Sequence, residues 1–219
     1  MKVNHIHPRN RSSAAFTLIE MIGVLAVIAI LAAVLVPKVF SAIANSRVSN
    51  TSMSCNTVKQ GIADHYAKYN ILNYDGTAGT NMTVSATGTN FDNVLVKEGF
   101  LDKPFAPRIG SGTGAQVVLL TAPTALGGAV TAAATPAAVT DASFDLSGST
   151  TNTVFGSAVA VALIPGVTWE DAKALNAIID GAALGEGGTA GKDIQGRVKY
   201  DLSANTAGTG TVYVYLTHR

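Results

Sequence analysis

The residue of this chain most able to do chemistry is a carboxylate in an unlikely place. Glu20 lies near the start of an otherwise apolar stretch that runs from Phe16 to Val36. An ionisable side chain inside a hydrocarbon layer is costly and is rarely kept there without a task. The plain alternative is an acid close enough to the end of a helix to reach the interface. Other candidates carry less. Cys55 is the single cysteine, so no intramolecular disulfide can form, and its simplest reading is a small apolar residue on a helix. Of the four histidines, His5 and His7 precede the apolar stretch, His65 falls in a helical pattern, and His218 is expected in a mobile tail. No His-x-x-x-His, Cys-x-x-Cys or EF-hand spacing occurs, and no Gly-x-Ser-x-Gly. Residues 110–114 are rich in glycine but lack the lysine and helix that a phosphate cradle needs, and read as a flexible turn. Asp180, Glu186, Asp193 and Asp201 could surround a hard cation, although solvated loop carboxylates are the simpler reading. The sequence therefore assigns no catalytic residue, no metal and no cofactor, and the chain is not read as an enzyme.

These residues need elements to hold them. The apolar stretch of residues 16–36 matches a hydrocarbon core of about 30 Å at about 1.5 Å rise per residue. It is longer than the apolar region of about 7–15 residues in an ordinary secretory signal, and no convincing small-x-small site closes it. Lys2, Arg9 and Arg11 precede it with no acidic residue among them, which predicts a cytoplasmic N-terminus. Beyond Pro37, apolar residues recur at Phe40, Ile43, Ala44, Val48, Cys55, Val58, Ile62, Tyr66 and Tyr69, at helical spacings. One helix over residues 16–69 is expected, apolar all round in its first half and amphipathic in its second, residues 37–69. Pro37 removes a backbone bond and predicts a kink or melted segment over residues 33–37.

The run Ala15-Phe16-Thr17-Leu18-Ile19-Glu20, followed by an apolar helix, closely resembles the N-terminal signal of type IV prepilins and of type II secretion pseudopilins. The resemblance implies a leader, residues 1–15, removed by a prepilin peptidase between Ala15 and Phe16, with N-methylation of the new Phe16 amine. Ala15 stands where that family usually has Gly. It also implies that Glu20 is the assembly residue, pairing with the Phe16 ammonium of a neighbouring subunit, with Thr17 adding a hydroxyl to the contact. Two charges that are each costly in lipid are less so together, which would set the register. Implied partners are further copies of the chain in a helical homopolymer, the peptidase, an inner-membrane assembly platform, and membrane lipid before assembly. The implied location is the bacterial inner membrane, with the C-terminal domain outside the cytoplasm, and then a pilus or a periplasmic pseudopilus. A pseudopilin of a type II secretion or DNA-uptake system is the alternative role. An anchored binding protein or enzyme with a coincidental motif is the remote one.

Composition agrees with a structural subunit. Charged residues make up 13% of the chain against 47% hydrophobic, and the net charge is +1, so no basic footprint for nucleic acid is present. Without Lys2, Arg9 and Arg11, 12 basic residues face 14 acidic ones. Residues 70–219 shift to Gly, Thr, Asn and Ala, with β-prone runs at 116–121, 142–146, 154–164, 196–200 and 211–217. The last alternates, placing Val212, Val214 and Leu216 on one face and Tyr213 and Tyr215 on the other. One further helix is expected from Thr168 to Gly181, with Trp169 as a core anchor. Residues 126–138 are of low complexity and read as an exposed loop. The expected fold is α+β and pilin-like: a long N-terminal helix packed on a C-terminal antiparallel sheet, with one short extra helix.

Overall fold

The computed structural model describes residues 16–75, 81–82, 89–123, 125–128, 130, 142–149, 151–181, 184, 191–202 and 208–219. The leader with Ala15, the loop residues 131–138 and Glu186 lie outside the described residues. The element order is α1 (Leu18–Tyr69), β1 (Thr89–Asn90), α2 (Asp92–Lys97), β2 (Gln116–Thr121), β3 (Ala158–Thr168), α3 (Trp169–Ile179), β4 (Lys192–Asp193), β5 (Val198–Asp201) and β6 (Thr209–His218). The fold is thus α+β, as expected: a long apolar-headed helix followed by an antiparallel sheet and short helices. The chain divides into two units, residues 1–43 and 44–219, and α1 runs through the boundary.

The first unit, over its described residues, is the head of α1. Its large apolar side chains from Leu18 to Ile43 are all exposed, and the helix is long and apolar enough to cross a membrane by length and composition. The helix is unbroken at Pro37. Proline has no N–H to give the Ala33 carbonyl, so one rung of the ladder is absent there. Four residues on, the Ser41 hydroxyl donates to the Pro37 carbonyl at 3.1 Å.

In the second unit, α1 buries Val48, Thr51, Ser52, Cys55, Val58, Gly61, Ile62 and His65, a stripe at spacings of three and four. Against this stripe lies one face of a six-stranded sheet of order β1-β2-β3-β6-β5-β4, with every neighbouring pair antiparallel. Alternation sorts the strand residues. Val117, Leu119, Ala160, Ala162, Val212, Val214 and Leu216 join the core under α1. Val118, Leu120, Val159, Val161, Leu163 and Tyr213 form a second core on the opposite face. That second face is covered by coil, chiefly through Ala142, Phe144 and Val154. Asn152 holds the cover together: its side chain accepts from the Phe144 and Val154 N–H groups and donates to the Ala125 and Val154 carbonyls.

Several sequence expectations are corrected here. Residues 142–146 are not a strand; Asp145 takes the Ser147 and Ser149 N–H groups onto its carboxylate, and this turn ends the extended run. The run at 154–164 begins later and continues to Thr168, because β3 absorbs Pro165 and Gly166 in an irregularity between Ile164 and Val167. His218 is the last residue of β6, paired with Val159, and not part of a mobile tail. The turn at 110–114 is held rather than loose: Ser111 donates its N–H and hydroxyl to the Pro165 carbonyl. Gly110 packs so close to that carbonyl that a Cβ would collide with it. Two short strands, β1 and β4, and the six-residue α2 were not expected. α3 is where the sequence placed it, capped by the Thr168 hydroxyl accepting from Asp171 N–H at 3.3 Å. Trp169 packs partly buried on the core beside Tyr200.

Candidate processing and assembly site

The head of α1 is where the sequence concentrates its chemistry. Phe16 and Thr17 precede the helix and Leu18 is its first residue. The first backbone N–H groups of any helix lack partners within it. Here Thr17 and Glu20 supply two of them reciprocally. Glu20 N–H donates to Thr17 Oγ1 at 3.3 Å, and Thr17 N–H donates to Glu20 Oε2 at 2.8 Å. The Thr17 hydroxyl donates to the same oxygen at 2.7 Å. This is a capping box, with threonine at the N-cap and glutamate three residues on. Met21 N–H, donating to the Thr17 carbonyl at 3.3 Å, continues the helical ladder from it.

The box has two consequences. It fixes the Glu20 carboxylate at the amino end of the helix, where the helix dipole favours negative charge. It also engages only one carboxylate oxygen: both Thr17 bonds fall on Oε2, and Oε1 has no bond among the described residues. Oε1 is thus open to a second cation. Phe16 is 82% exposed and stands next to the box in sequence. The structure therefore brings Thr17 and Glu20 together, leaves Phe16 open, and places Pro37 within α1. The capping role of Thr17 was overlooked in the sequence, although the Thr-x-x-Glu spacing carries it.

The remaining candidate groups are structural. Cys55 is buried in the core, and burial pushes its thiol up to about 12. Asp180 accepts from the Arg197 and Val198 N–H groups, and the Arg197 guanidinium lies beside it. Asp193 accepts from the Asn176 amide and from Gln195 N–H, and Asp201 pairs with Lys192 at 3.2 Å. Among the described residues these acids form no shared cation site. His65, buried on α1, meets Glu98 at 2.7 Å inside a ring of Tyr69, Phe91 and Phe100.

Residues 10–36 match the prokaryotic N-terminal methylation motif. No curated protein and no solved structure matches the chain.

Proposed function

We propose that this chain, which carries the type IV pilin and pseudopilin signature, is the structural subunit of a type IV pilus-like filament. The observation that carries the reading is the Thr17–Glu20 box at the head of an exposed apolar helix, inside the methylation motif. In this reading the precursor inserts with residues 1–15 in the cytoplasm. A prepilin peptidase cuts between Ala15 and Phe16 and methylates the Phe16 amine. The helix over residues 16–36 then holds the subunit in the inner membrane, with its C-terminal domain outside the cytoplasm, until an assembly platform moves it into the fibre.

The chemistry follows from the box. Cutting creates an ammonium at Phe16, a second charge in a medium that tolerates neither alone. The free Oε1 of Glu20 accepts from the Phe16 ammonium of a neighbour while Oε2 stays with Thr17. A pair made across two helices fixes their relative axial position, and the surrounding apolar side chains pack once the register is set. The contact joins two different surfaces of like subunits, so it repeats without closing and generates a fibre. Pro37, lacking one rung of the helical ladder, is where the helix opens when packing asks for it.

The test is to co-express the chain with a prepilin peptidase and a filament assembly system, then to analyse sheared fibres by mass spectrometry. The expected N-terminal peptide begins at Phe16 and carries one added methyl group. Glu20→Leu is expected to be inserted and cut yet absent from fibres. Fibres retaining residues 1–15, or Glu20→Leu fibres as abundant as the parent's, would overturn the reading.

A further inference from the structure

We draw no further inference here: the strongest candidate, the groove of about 250 Å³ in the second unit between α1 at Val58 and the segment of residues 101–108, carries Asp102 beside Lys103 and Arg108 on its walls, so its charge singles out no partner, and nothing in the structure shows what covers it.

Discussion

Replacing His65 by Phe is expected to destabilise the second unit far more than replacing its partner Glu98 by Met. The two side chains are 0% and 5% exposed and meet at 2.7 Å. Neither His65 Nε2 nor Glu98 Oε1 has a hydrogen-bond partner among the described residues. The pair is therefore joined by one contact and has no second to fall back on. His65→Phe fits the surrounding rings of Tyr69, Phe91 and Phe100, but it leaves a buried carboxylate uncompensated, which costs about 3–5 kcal/mol. Glu98→Met leaves a buried imidazole with one unmade hydrogen bond, a penalty of about 1–3 kcal/mol. The double variant removes both polar groups and is expected to lie within about 1–2 kcal/mol of the parent, since buried pairs replaced by packed apolar groups are often neutral. Unfolding followed by the emission of Trp169, the only tryptophan, reads this unit directly, because its ring lies 5.8 Å from that of Tyr200. For a unit of this size the larger loss corresponds to a fall in Tm of roughly 6–20 °C. Equal losses in the two single variants, or a double variant as poor as their sum, would refute the reasoning.

Thr17→Val removes the hydroxyl that holds Glu20 Oε2 and is expected to leave cleavage at Phe16 intact while lowering fibre yield, whereas Thr17→Ser restores it; equal yields in all three forms would show that the box plays no part in assembly. Burial pushes the Asp92 carboxyl above its ordinary range, so Asp92 contributes stability below the unfolded value of about 3.9 and loses it as pH rises through the folded one. Relative to Asp92→Asn, which keeps an acceptor for Phe105 N–H, the parent should therefore lose stability between acid and neutral pH; melting curves that stay parallel across that range would contradict it. Pro37→Ala restores a donor for the Ala33 carbonyl and is expected to slow amide exchange over residues 33–41 in the detergent-solubilised subunit, as measured by mass spectrometry.

What the sequence made legible divides by range. α1 was plain because a long apolar stretch and a following 3–4 stripe are local signals, each read within one or two turns. β6 was plain because Val212, Val214 and Leu216 alternate with Tyr213 and Tyr215 over consecutive residues. The far end of β3 was hidden by Pro165 and Gly166, which punctuate a sequence as a stop. The strand instead carries them as a bulge, because β6 resumes pairing at Val167. Residues 142–146 had strand composition, but their backbone bonds go to the Asn152 and Thr153 side chains and to single N–H groups of Thr153 and Gly196, not along a neighbouring strand. No local pattern predicts a covering coil over a sheet face. The pairing of His65 with Glu98 spans 33 residues, and neither residue type announces burial.

The Thr17–Glu20 box was legible in the Thr-x-x-Glu spacing and overlooked, for a physical reason that bears on the proposed function. Glu20 stands in two rules at once: as a charge in an apolar run it asks for an external cation, and as the fourth letter of Thr-x-x-Glu it caps its own helix. The first reading treats the carboxylate as waiting for a neighbour. The second gives it two bonds before any neighbour arrives. The two roles are compatible because a carboxylate has two oxygens and the box uses one. An amide at this position would keep one acceptor oxygen for Thr17 but could offer the neighbour's ammonium only an N–H donor. On this argument Glu20→Gln retains the helix start and loses the register, so a properly capped, properly cut subunit that does not polymerise is the signature separating the two roles of one side chain.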